Sequence, residues 1–346
     1  MSEPGHTLGA MNPRTQAIMA ANNGLITRSQ ALASGLDLDT LYRLVESGTW
    51  TAVRRGVYAE RTYVESITLP TDRRRLLDRA ACAAITVPFV RSHETAALEL
   101  EMGILLPVRA QTHVTRQPVV GTHNKWGVKH HLAPYSEDQV VQANGFSVLG
   151  PARTAIDIAR EHGRPYGVVA VDSARRMGVS VDDLWKVLEH MKHWPNRRLA
   201  REAIDLSYAG VESVGESLTR DVLEELGLTG IETQFEITDG VRTARFDLRV
   251  GRHLFEFDGR SKYVAAADGG LALRSVDDIL AEEKTRQDWA HGFHLGMSRV
   301  EWADLFGRQR NYLKDRLNRE YLATCQAFGT DISDLERFRV RRSRAA

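Results

Sequence analysis

In the stretch RTARFDLRVGRHLFEFDGRSKY, residues 242 to 263, two carboxylates, Asp247 and Glu256, stand nine positions apart about a Gly251-Arg252 pair. The flanking residues read as two β-strands, and glycine at the first central position of a two-residue loop suits a type II′ turn. Such a turn makes opposed residue numbers sum to 503. Asp247 then faces Glu256, Phe246 faces Phe257, Leu248 faces Phe255 and Arg245 faces Asp258, so one face is expected to be an aromatic core and the other to carry acids. Opposed Cβ atoms lie about 5 Å apart, where two full charges repel by roughly 3 kcal/mol at an effective dielectric of about 20.

A divalent cation removes that repulsion. Mg²⁺, or Mn²⁺ in its place, takes one or two carboxylates together with phosphate oxygens, and such an ion activates a water for attack on a phosphate. Asp247 and Glu256 are therefore the expected metal ligands. The alternative is an exposed ion-pair network in which Arg245, Arg249 and Lys262 neutralise the acids.

Residues 212 to 305 resemble the small Vsr-like branch of the PD-(D/E)XK, or restriction-endonuclease-like, superfamily. The residues that carry the likeness are Glu216 in ESVGESLTR, Asp247 in RFDLRV, Glu256 and Asp258 in FEFDGRSKY, Glu283, Lys284 and Arg286 in EEKTRQDW, and the last strand leading into EWADL. The resemblance implies a mixed sheet flanked by helices and metal-dependent hydrolysis of nucleic-acid phosphodiesters, with Asp247 and Glu256 on the ion. Asp258 would order water or a second ion. The superfamily pattern has a lysine two positions after the second acid, where this chain has Asp258; Lys262 or Lys284 could take that role by stabilising phosphate charge. For Glu216 two readings stand: a metal ligand, or an ordinary helix pair with Arg220 on a face that the stripe Val211, Val214, Leu218, Val222, Leu226 turns toward solvent.

A second group of candidates lies near the start of the chain. In LITRSQALASGLDLDTLYRLVESGTW, Thr27 and Gln30 have capping-box spacing, Asp37 caps a second helix with an apolar stripe Leu38, Leu41, Leu44, Val45, and Gly48 stops it. WTAVRRGVYA then reads as a two-stranded wing with Arg54 and Arg55 at its tip. In a winged helix-turn-helix the second helix enters the major groove, which makes Asp39, Thr40 and Arg43 the candidate base readers and Arg54 and Arg55 the phosphate contacts. Protein contact is the other use of such a fold.

The block GLITRSQALASGLDLDTLYRLVESGTWTAVRRGVYA resembles the N-terminal domain of AbiEi-type antitoxins, regulators of abortive-infection toxin systems, and SHETAALELEMGI and GPARTAIDIAR extend the likeness to residues 92 to 104 and 150 to 160. It implies double-stranded DNA and a cognate toxin as partners. Two functions follow: a DNA-binding protein with a magnesium-dependent endonuclease domain in phage defence, or a transcriptional repressor and antitoxin that keeps the nuclease fold for binding alone.

The elements that must position these groups fit a multidomain α+β and α/β chain of 346 residues. The expected divisions are a disordered leader (1–12), a winged helix-turn-helix (13–60), an α+β middle domain (61–205), a nuclease-like domain (206–325) and a basic tail (326–346) holding Arg337, Arg339, Arg341, Arg342 and Arg344. A net charge of +1 gives no global nucleic-acid signature, and two distant cysteines argue against disulfides or a thiolate zinc site. The start lacks an export signal and no long apolar run is present, so a cytoplasmic protein without a membrane anchor is expected. His130, His131, His190 and His193 lack a carboxylate or cysteine at ligand spacing and read as surface or satisfied core histidines. Phosphate-loop, nucleophile-elbow and HExxH motifs are absent.

Overall fold

The computed structural model describes residues 12–117, 121–259 and 276–340, with side chains from 284 onward in the helix that begins at 276. Lys262, Glu283, the leader up to residue 11 and Arg341, Arg342 and Arg344 lie outside that description. The chain is a mixed α and β structure dividing into two compact units, Met1–Met102 with Leu106–Asp157, and Gly103–Leu105 with Ile158–Ala346.

The first unit opens with α1 (Pro13–Ala21), β1 (Leu25–Thr27), α2 (Arg28–Ala33), α3 (Leu38–Glu46), β2 (Trp50–Arg54) and β3 (Val57–Glu60). Asn12 caps α1 by accepting from the Arg14 and Thr15 amides. At α2 the capping box forms in both directions: Gln30 N–H donates to Thr27 Oγ1 at 3.2 Å and Thr27 N–H to Gln30 Oε1 at 2.9 Å. Gly35, at φ +103°, makes the left-handed turn that stops α2. The strands order β1-β3-β2, and Met19, Ile26, Ala31, Leu41 and Trp50 fill the space between them and the three helices. This is a winged helix-turn-helix.

The chain continues through α4 (Arg61–Ser66), α5 (Pro70–Ala83), β4 (Val90–Arg91), α6 (His93–Glu99), β5 (Thr112–Arg116), β6 (Gly121–Lys125), β7 (Val128–Leu132), β8 (Val140–Ala143) and β9 (Phe146–Leu149). The break expected after residue 60 lies inside this unit, since Leu76 and Ala80 of α5 share a buried core with Leu25, Val57 and Ala59 of the wing sheet. Its second sheet has the order β6-β7-β5-β4-β9-β8, with β5 parallel to β7 and β4 parallel to β9.

After α7 (Pro151–His162), the second unit contains α8 (Arg164–Arg176), α9 (Val181–Glu189), α10 (Arg197–Asp205), α11 (Val214–Glu225), β10 (Glu232–Thr238), β11 (Thr243–Val250), β12 (His253–Asp258), α12 (Val276–His291), β13 (Gly296–Glu301) and α13 (Gly307–Phe328). The break expected at 205–206 also falls inside a unit, because Val169 of α8 packs in the same core as Leu218 and Val222 of α11. Charge reinforces that junction: Arg220 of α11 meets the fully buried Asp172 of α8 at 3.0 Å, and Arg164 meets the fully buried Asp221 at 2.7 Å.

The sheet β10-β11-β12-β13 is antiparallel until β13 joins β12 in parallel. Both of its faces are covered. Leu248, Val250, Phe255 and the half-buried Phe257 pack with α11 and α13, whereas Phe235, Phe246 and Leu254 pack with Ala290 of α12 and Leu335. The expectation of one aromatic face and one acidic face is corrected by this distribution: Phe246 and Phe257 belong to different cores. Among the described residues no helix is long and apolar enough to cross a membrane.

Candidate functional site

The acidic hairpin forms with the register that its turn imposes. Gly251 takes φ +54°, and Val250 pairs with His253, Arg249 with Leu254 and Leu248 with Phe255. The ladder stops there, one pair short of Asp247 and Glu256. In place of the next rung, the Asp247 carboxylate accepts the Phe257 N–H at 2.9 Å. The strand also exchanges faces at this residue, because Phe246 and Leu248 would share a side in a regular strand yet enter opposite cores.

The two acids consequently acquire different neighbours. Glu256 ion-pairs with Arg286 of α12, whose guanidinium stands 4.8 Å over the Phe246 ring. Asp247 lies on a part of β11 flanked by Gln234, which takes φ +54° between the pairs Thr233–Leu248 and Phe235–Phe246. Gln234 Nε2 donates to Glu216 at 2.8 Å, and the Glu212 N–H donates to the same oxygen at 2.8 Å. Glu216 is thus 7% exposed and does not face solvent as its helix stripe suggested. Arg220, its expected partner, turns to Asp172 and Glu224. Burial raises the Glu216 carboxyl above the ordinary range, and the Asp247 charge raises it further against the opposing Glu212 hydrogen bond.

The arginines expected to neutralise the hairpin acids go elsewhere as well. Arg245 forks onto Glu212 at 2.8 and 3.0 Å, and Arg249 pairs with Glu232. Asp258 stands opposite Glu301 in the parallel β12–β13 register, and Lys284 is exposed on α12. The structure therefore groups Glu216 with Asp247, and Glu256 with Arg286.

On the winged helix, Asp37 accepts the Thr40 N–H at 2.7 Å and fixes where α3 begins. Arg43 Nη2 donates to Thr40 Oγ1 at 2.8 Å, so the half-buried Thr40 steers Arg43. Asp39, Tyr42, Arg43 and Glu46 form the exposed side of α3, with Tyr42 49% exposed. Tyr42 is a surface residue that the spacing argument misses; the signal for it in the sequence is an aromatic side chain set between Leu41 of the apolar stripe and Arg43. At the wing the two arginines differ. Arg54 donates to the Trp126 carbonyl, while Arg55 at the turn is exposed.

Residues 16–61 match the family described as "Transcriptional regulator, AbiEi antitoxin". The match runs from within α1 to the first residue of α4 and so coincides with the winged helix. No curated protein matches the chain.

Proposed function

We propose that this chain is a DNA-binding transcriptional regulator of the antitoxin kind, which reads a duplex through its N-terminal winged helix and counteracts a cognate toxin. The observation that carries this reading is the coincidence of residues 16–61 with a folded helix-turn-helix and wing. Placed in a major groove, α3 presents Arg43 and Tyr42 to base edges, and Arg55 meets a phosphate beside it. The modest number of basic groups on this face fits a module that gains affinity from a second copy or a second contact.

Fluorescence anisotropy with duplexes from the region upstream of the chain's own gene tests the proposal. Saturable binding that unrelated duplex of equal length does not compete away supports it; equal binding to every duplex refutes it. Co-expression with the neighbouring reading frames tests the antitoxin part, through rescue of growth by the full chain.

A second reading, a Mg²⁺- or Mn²⁺-dependent nuclease, is favoured by the approach of two carboxylates, Asp247 and the buried Glu216, whose raised proton affinity is what an ion would reverse. On that reading Glu256, Asp258 and Lys284 would take supporting roles, and Lys262, which lies outside the described residues, is the alternative to Lys284. Plasmid cleavage in Mg²⁺ or Mn²⁺ that disappears in Asp247→Ala would establish it. Intact plasmid with every metal leaves regulation as the function.

A further inference from the structure

In the first unit, three histidines far apart in sequence converge: His93 at the head of α6, His113 on β5 and His131 on β7. They are 4%, 3% and 9% exposed, and each can offer one ring nitrogen such that all three nitrogens lie within 4.8 Å of one another. We infer that they form a binding site for one zinc-class divalent cation, which would pin α6 to the sheet.

The second ring nitrogens indicate which atoms face the ion. His93 Nδ1 lies 3.1 Å from Ser92 Oγ, which points to its Nε2 as the ligand. His113 Nε2 lies 3.5 Å from a carboxylate oxygen of the buried Glu94, and its Nδ1 lies 2.9 Å from His131 Nε2. A carboxylate behind the outer nitrogen of a ligating histidine fixes the tautomer and raises ligand basicity. Glu94 is placed to do this for His113. A tetrahedral ion with Zn–N bonds of about 2.0–2.1 Å holds its nitrogens about 3.3 Å apart, so the His113–His131 pair needs to open by roughly 0.4 Å. Neutral imidazoles bind without net proton loss from the pair: the proton now between them moves to an outer nitrogen.

Two further features point to a ligand here. His93 is held at φ +50°, a backbone conformation that a non-glycine residue adopts at a cost; its ring stacks on that of His131 at 3.9 Å, so binding one ion requires the His93 ring to turn until the in-plane lone pair of its Nε2 meets the site. Thr115 is fully buried, stands opposite His131 in register and two residues along from His113, and its hydroxyl has no hydrogen-bond partner among the described residues. A water completing the ion's fourth position would give that hydroxyl one. Three imidazoles select zinc or a similar borderline ion over Mg²⁺, which prefers oxygen ligands.

The test uses the full chain, stripped with a chelator and then titrated with ZnCl₂ and CoCl₂. The expected result is one ion bound per chain, not displaced by excess MgCl₂, with binding lost in His93→Gln and His131→Gln and unchanged in His190→Gln, an exposed residue of the second unit. Glu94→Gln is expected to weaken affinity about ten- to hundredfold. Histidine-selective NMR on the wild type serves as the second measurement if the variants unfold: zinc is expected to shift three imidazoles. Failure of the wild type to retain an ion, unmoved imidazole resonances, or wild-type affinity in a folded His131→Gln chain overturns the assignment.

Discussion

The wing supplies a sharp comparison, because its two adjacent arginines are equivalent in sequence and different in structure. Arg54 donates to the Trp126 carbonyl within the first unit, and Arg55 is exposed at the turn. Each phosphate neutralised contributes about 0.9 to the negative slope of log K against log salt on B-form DNA. If Arg55 holds one phosphate per chain, Arg55→Ala is expected to reduce that slope by about 0.9. Over a fourfold rise in salt, from about 50 to about 200 mM, the wild type should then lose about 3.5-fold more affinity than the variant. Arg54→Ala should leave the slope unchanged. Anisotropy titrations of all three proteins on one duplex across that range measure this. Equal slopes for wild type and Arg55→Ala, or a reduced slope in Arg54→Ala alone, would refute the assignment of the wing contact.

Other expected outcomes concern the second unit. His253 is buried between Thr324 Oγ1 and Ser298 Oγ, each 2.7 Å from a ring nitrogen, and desolvation lowers its pKa to about 4. The neutral ring is the folded form, so its contribution is complete above the unfolded pKa of about 6.5 and is lost as pH falls toward 4, at about 1.4 kcal/mol per pH unit. Urea unfolding at pH 7 and pH 5 should therefore differ by about 2 kcal/mol more in the wild type than in His253→Gln. Asp172→Asn removes the fully buried one of the two carboxylates that Arg220 meets and leaves it Glu224, and should cost up to about 3–5 kcal/mol by chemical denaturation; a loss below about 1 kcal/mol would contradict a buried pair at that junction. Gly215→Ala puts a methyl group 2.1 Å from the Phe257 ring. Overpacking of that kind is expected to lower stability by about 1–3 kcal/mol, read as a lower midpoint in the same assay.

What the sequence determined was local. The Thr27–Gln30 box, the Asp37 cap and the Gly251 turn each depend on residues within a few positions, so capping and turn chemistry place them without reference to the rest of the chain. The winged helix was legible for that reason: its elements are short, contiguous and punctuated by glycine.

Tertiary structure decided everything that required a second or third segment. The hairpin register held for three pairs, yet cores on both faces of the sheet turned Phe246 one way and Leu248 the other, and brought the Phe257 N–H to Asp247 and Arg286 to Glu256. The apolar helix stripe turned Glu216 toward solvent, yet the fold buries it, with donors from Gln234 on the neighbouring strand and the Glu212 N–H making that burial tolerable. Arg54 and Arg55 are distinguished by a carbonyl 72 residues from Arg54 in the chain. His93, His113 and His131 come from a helix and two parallel strands with no fixed spacing between them. A period or a motif records neighbours along the chain, whereas these sites are set by which surfaces meet when apolar area is buried.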